Sequence, residues 1–206
     1  MPETFRVGIV EMRPGRGAFV TRLSVNDLMR LVDGAVQLEF GAALQLHEVR
    51  AMMEIAAARL AATRRSDDDL AAMAAAIAEY ADVGDDGNPE MLIEADLRLH
   101  KAIVAASRND MLAQLYESIS GLLRQHRRQY ASTTERQLRE IVISQHRRIH
   151  RAIEAGDYRQ ATAAMQAHMR SIWQQIEQTA IREGDSSLGD QTYLPMYDDE
   201  PEPPAS

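Results

Sequence analysis

From Ser24 to Gly184 the sequence reads as helix almost without a break, and the breaks carry helix-capping residues rather than strand signals. Ser24 with Asp27 three residues on makes an N-cap pattern, and Leu28, Leu31 and Val32 supply the apolar face of a first helix. A longer helix is predicted from about Leu44 to Thr63, with Leu46, Val49, Met53, Ala56, Ala57 and Leu60 on one stripe. Ser66 followed by Asp69 caps the next, which runs to about Ala81. After the loop DVGDDGN, Asn88 is a cap and Pro89 sits at the first helical position, where its missing N–H costs nothing. Further helices are predicted over about Asp110 to Tyr130, from Thr134 to Gly156, and from Asp157 onward through Trp173. A chain of this kind has to bury helix against helix, and the expected fold is an all-α antiparallel bundle.

Composition narrows the chemistry. Aromatics are 5% of the chain while apolar residues are 45%, a balance of Ala, Leu, Ile and Met that favours helix over sheet. There is no cysteine, which excludes disulfides and thiolate metal sites, so any metal must be held by His and carboxylate. No apolar run approaches the roughly 18 residues of a membrane span, and residues 1–20 lack the apolar core of a signal peptide; the expected compartment is the cytoplasm. Charge is segregated. Residues 184–206 hold six acids and no base, most of the net charge of −8, and read as a disordered acidic tail.

Ahead of the helices, residues 7–22 read VGIVEMRPGRGAFVTR. Val7 and Ile9 on one side and Phe19 and Val20 on the other flank a turn with Pro14, Gly15 and Gly17, a β-hairpin with Arg16 at its tip and Arg13 on its shoulder. An arginine between two glycines suits contact with a DNA backbone or minor groove. A solvated surface hairpin accounts for the same residues.

The candidate chemistry lies further on. Asp96 and His100 stand four residues apart, which in a helix puts both on one face, one turn apart. His146 and His168 each fall in a later helix. One carboxylate and three imidazoles are enough for a divalent metal with positions left open for a small ligand, and suit Zn first, with Ni, Mn or Fe as alternatives. A plain i,i+4 surface pair is the competing reading of Asp96 and His100. His47 reads as a surface histidine that could border a pocket. His126, with Arg124, Arg127 and Arg128, reads as a solvated helix face or dimer contact before it reads as a nucleic-acid patch. No Gly-rich phosphate loop and no nucleophile–base pairing is visible.

The run GIVEMRPGRGAFVTRLS resembles the wing of the winged helix-turn-helix in GntR-family transcriptional regulators. LHEVRAMMEIAAARLAA, EADLRLHKAIVAASRND and HRRIHRAIEAGDYRQATAAMQAHM resemble, in order, the opening, metal-site and closing helices of the ligand domain in the FadR-type branch of that family. The resemblance implies a remnant wing over 1–22, an all-helical ligand-binding and dimerisation domain over 24–181, a homodimer, a bound divalent metal and a small carboxylate effector. It implies Asp96, His100, His146 and His168 as ligands. His146 is preferred to His150 because the family's ligand histidine lies 11 residues before the turn aspartate, here Asp157. Leu99 stands where the family usually has an aromatic. Arg50 matches a position that faces the effector carboxylate, and Asn109 an asparagine beside the pocket.

The sequence starts at or just before the wing, so the recognition helix of the family is not in it. Either the sequence begins late or the protein kept the sensor and lost the reader, and DNA binding through Arg13 and Arg16 is expected only with a full helix-turn-helix. The function expected is a metabolite-sensing regulator. The alternatives are a binding or heterodimerising module without DNA binding and, less favoured, a metal-dependent hydrolase.

Overall fold

The computed structural model describes residues 5–7, 10–13, 17–20, 40–83, 88–130 and 136–183. The helix expected after Ser24, the turn holding Arg16 and the acidic segment 184–206 lie outside those residues. The described body is built from helices α1 (Phe40–Arg64), α2 (Asp67–Asp82), α3 (Pro89–Ala106), α4 (Asp110–Tyr130), α5 (Arg136–Glu154) and α6 (Tyr158–Glu183). It is an all-α bundle.

Helix ends follow local chemistry. Ser66 Oγ accepts from Asp69 N while Asp69 Oδ2 accepts from Ser66 N at 2.8 Å, a reciprocal capping box at the head of α2. Asn88 Oδ1 accepts from Glu90 N at 2.9 Å, with Pro89 opening α3. Helix α5 ends on Gly156, whose φ is +73°. Gly156 N donates to Ile153 O and Asp157 N to Ala152 O, the paired bonds that close a helix on a left-handed residue. Asp157 Oδ1 then accepts from the backbone N–H groups of Arg159 and Gln160 and starts α6.

Helix α1 lies in the middle, packed against α3, α4, α5 and α6. Its buried face differs from the predicted stripe. Ala51, Ala57, Ala58, Ala61 and Ala62 are inside, and their short side chains let neighbouring helices approach closely. His47, Arg50 and Glu54 share that face, whereas Val49 is 46% exposed and Ala56 is also exposed. Buried polar groups that find partners on other helices have set the rotation of α1, against the simplest apolar count.

Around α1 the core is filled by Met73, Leu97, Ile103, Ile149, Ile153 and Met165, each burial contributing about 1.5–3 kcal/mol. Leu99 belongs to the same core, so an aliphatic side chain fills the place where an aromatic was the family expectation.

The first residues form a small antiparallel sheet in the order β1 (Phe5–Val7), β2 (Val10–Arg13), β3 (Gly17–Val20). The β2–β3 pair, with Arg13 opposite Gly17, is the expected hairpin. Its first arm is shorter than predicted: Val7 belongs to β1, where it pairs antiparallel with Val10 of β2.

Candidate metal and effector site

Helix α3 presents Asp96 and His100 one turn apart on its buried face, α5 presents His146 and α6 His168. All four are buried, and each offers a donor atom within 4.8 Å of the others. Asp96 Oδ1 is 3.3 Å from His146 Nε2, Asp96 Oδ2 is 3.5 Å from His100 Nε2, and His100 Nε2 is 3.3 Å from His168 Nε2. His150, one turn beyond His146, goes elsewhere. Its Nε2 is hydrogen-bonded to Leu70 O on α2 at 3.1 Å, so it ties two helices together while His146 enters the cluster.

A second layer fixes the rings. Glu54 Oε2 on α1 lies against His100 Nδ1, and Gln145 Oε1 on α5 accepts from His168 Nδ1 at 2.8 Å. With an acceptor oxygen beside each Nδ1, both Nε2 atoms face the cluster and offer it their lone pairs. Two lone pairs 3.3 Å apart repel unless a cation stands between them. A proton would serve that pair alone. Asp96 and His146 add donors around the same point, and neither ring nitrogen of His146 has a hydrogen bond of good geometry. The donor set, its burial and these orphaned nitrogens fit a divalent metal.

The electrostatics agree. Burial pushes the Glu54 carboxyl up, but Arg50 and then His100 outweigh it and bring it down to about 2. Arg50 Nε donates to Glu54 Oε1 at 2.6 Å and Tyr116 Oη donates to the same oxygen at 2.8 Å. Burial likewise opposes ionisation of Asp96, and Arg127 and His100 hold its pKa well below the usual carboxylate range. Burial holds His146 and His168 below the usual imidazole range, whereas at His100 the neighbouring Glu54 and Asp96 overcome burial and raise it. Among the four donors, an ionised Asp96 and the neutral rings of His146 and His168 are thus ready for a cation.

Beside the cluster lies a cavity of about 120 Å³, walled by Arg50, Asp96 and His168 together with His47, His126 and Arg127. Arg50 lines it, and its Nη2 has no hydrogen-bond partner. His47 is 3% exposed rather than a surface residue; burial lowers its pKa to about 3, and the neutral ring donates from Nε2 to Met169 O at 2.9 Å. The basic run on α4 is also not a free face. Arg124 pairs with Glu94 and Arg128 with Glu90, both on α3, while Arg127 turns inward to Asp96. The reason is register: Glu90 and Glu94 are one helical turn apart, as are Arg124 and Arg128, so the two helices zip together.

Asn109 does not reach the cavity. It is exposed, and its Oδ1 accepts from Leu112 N at 3.2 Å, capping α4. Arg13 stands at the end of β2. Glu54, Gln145 and Arg127 belong to the site without any motif in the sequence that marks them for it. Glu54 did leave a signal: an acid four residues after Arg50 in an otherwise alanine-rich stretch.

Residues 45–171 match the family model of the FCD domain. The chain belongs to the FCD-domain branch of the GntR-family transcriptional regulators. It is 32% identical over 170 residues to the HTH-type transcriptional regulator LutR of Bacillus subtilis (strain 168), spanning 81% of this chain and 76% of that one. It is 33% identical over 122 residues to the galactonate operon transcriptional repressor of Escherichia coli (strain K12), spanning 56% of this chain and 52% of the repressor. The solved structure of a Streptococcus agalactiae GntR protein has the same fold, with a TM-score of 0.58 at 22% identity over 81% of this chain and 75% of that one. The FCD bundle is thus the effector-binding part of a regulator, not an enzyme. Among the described residues no helix of this GntR-family member is long and apolar enough to cross a membrane.

Proposed function

We propose that this FCD domain senses a small carboxylate through a divalent metal, zinc first, held by Asp96, His100, His146 and His168, with Arg50 pairing the acid's charge. The observation that carries the reading is Arg50. A guanidinium with Nη2 free of hydrogen bonds, on the wall of a cavity that also exposes Asp96 and His168, offers an anion site beside a cation site. A bound metal supplies coordination positions to the acid. The protein's own part is to hold the ligands in one tautomer, to fix the position of Arg50 through Glu54, and to line the remaining walls with apolar groups.

Because the ligands come from α3, α5 and α6 and the arginine from α1, an acid bound between them favours one relative placement of four helices. Differential affinity for two arrangements is what couples such a site to DNA binding in a regulator. A homodimer belongs to the same reading. Val49 and Met52, 46% and 52% exposed on the outer side of α1, offer apolar surface for it. Contact of Arg13 and Arg16 with a DNA backbone belongs to the reading only where a full helix-turn-helix accompanies them.

The test is metal content by mass spectrometry on purified protein, beside Asp96→Ala, His146→Ala and His168→Ala, followed by calorimetric titration with small carboxylates. Near-stoichiometric metal that falls in all three variants, and acid binding that requires metal and Arg50, are the expected results. Protein that takes up no metal on reconstitution overturns the reading.

A further inference from the structure

Three arginines on one helix, Arg124, Arg127 and Arg128, have two fates. Arg124 and Arg128 meet Glu94 and Glu90 at the outside of the α3–α4 contact, with side chains 34% and 57% exposed. Arg127 turns into the bundle, is 18% exposed, lines the cavity and pairs with Asp96 Oδ2. It enters from α4, whereas Arg50 enters from α1 and lies 3.8 Å from that same oxygen. Two guanidinium groups from different helices therefore converge on one carboxylate that is also a candidate metal ligand.

The charges can be counted. Arg50 and Arg127 are permanently charged cations. Glu54 and Asp96 are their anions, and ligating histidines are neutral. His47 and His126 are kept neutral at pH 7 by burial, their pKa values lowered to about 3 and about 4. The protein groups thus balance by themselves, and a divalent metal leaves the whole of its own charge uncompensated inside a buried site. Uncompensated buried charge is unfavourable, and a monocarboxylate removes only half of it. A dianion removes all of it. Arg50 is already engaged through Nε with Glu54, whereas Arg127 holds an oxygen that a metal would share, so its guanidinium is the group with most to gain from a second carboxylate.

We propose that Arg127 reads a second anionic group on the effector, so that the site takes a short-chain dicarboxylate in preference to the matched monocarboxylate. This rests on the metal-and-carboxylate reading given above and adds the effector's charge class and the residue that selects it.

The experiment is calorimetric titration of the zinc-loaded full chain with malonate and succinate and with propionate and butyrate, repeated on Arg127→Gln and Arg127→Lys, with metal content and melting temperature recorded for each. The expected result is a preference for the dicarboxylate of about tenfold to a hundredfold, the size of one charge-assisted hydrogen bond. Arg127→Gln narrows that ratio to within about threefold of unity, and Arg127→Lys, which keeps the charge without the planar fork, restores part of it. Equal affinity of the unaltered protein for the two classes overturns the inference alone, as does an Arg127→Gln variant that loses both affinities in proportion. A zinc-loaded protein that binds no acid, or a chain that holds no zinc, overturns the underlying reading instead. If Arg127→Gln does not fold, the ratio in the unaltered protein and in Arg127→Lys still decides the question.

Discussion

Glu54 Oε2 and His100 Nδ1 face each other across the contact between α1 and α3, both side chains fully buried. Glu54 Oε1 meanwhile accepts from Arg50 and Tyr116. One carboxylate therefore orients a candidate metal ligand with one oxygen and anchors the candidate effector arginine with the other.

From that bridge, Glu54→Gln is expected to weaken metal binding by about tenfold to a hundredfold, the usual effect of losing an outer-shell partner. Competition with a chromogenic chelator reads it. Glu54→Ala is expected to do more, costing about 3–5 kcal/mol of stability, because Arg50 is left buried without its anion. A Glu54→Gln protein with unaltered metal affinity shows that the contact is only structural.

Gln145 plays the matching part for His168. Gln145→Ala frees the ring to adopt the other tautomer, and the expectation is a smaller melting-temperature rise on adding zinc than in the unaltered protein, with little change in chelator. A zinc-induced rise identical in both proteins rules out this role.

His47 gives a pH prediction. Its folded pKa, about 3, lies below the ordinary 6.5, so the unfolded chain binds the extra proton between those values. Stability from the neutral ring is complete above about pH 6.5 and falls as pH drops toward 3, by up to about tenfold in the unfolding equilibrium per pH unit. His126, lowered to about 4, adds in the same direction, and His100, whose pKa is raised, acts in the opposite one. In chelator, His47→Gln is expected to flatten the loss of stability between pH 6.5 and pH 5, read from urea melts. An unchanged slope refutes the assignment.

Backbone and surface give contrasting controls. Gly156→Ala places a side chain at φ +73° and is expected to cost roughly 1–2 kcal/mol in thermal melts. Arg128→Ala removes an exposed pair with Glu90 and is expected to leave the melting temperature unchanged.

Most ends of the described helices were legible in the sequence, because caps act over three or four residues. Ser66 with Asp69, Asn88 with Pro89, and Gly156 each satisfy or redirect backbone groups within their own turn, and each stands where it was expected. The sequence also marked Asp96 and His100, since a four-residue spacing is itself a geometry. Resemblance to the GntR family preferred His146 to His150 and added Arg50. Tertiary structure decided which polar groups are buried together. Glu54, His47 and Arg127 look in sequence like helix-surface residues; they are inside because Asp96, His100 and Met169 meet them from helices 40 or more residues distant, Arg127 apart, whose partner lies one helix back. The face that α1 buries was decided the same way. Propensity and spacing are short-range quantities, whereas the cost of burying a charge depends on which partner arrives from the rest of the fold.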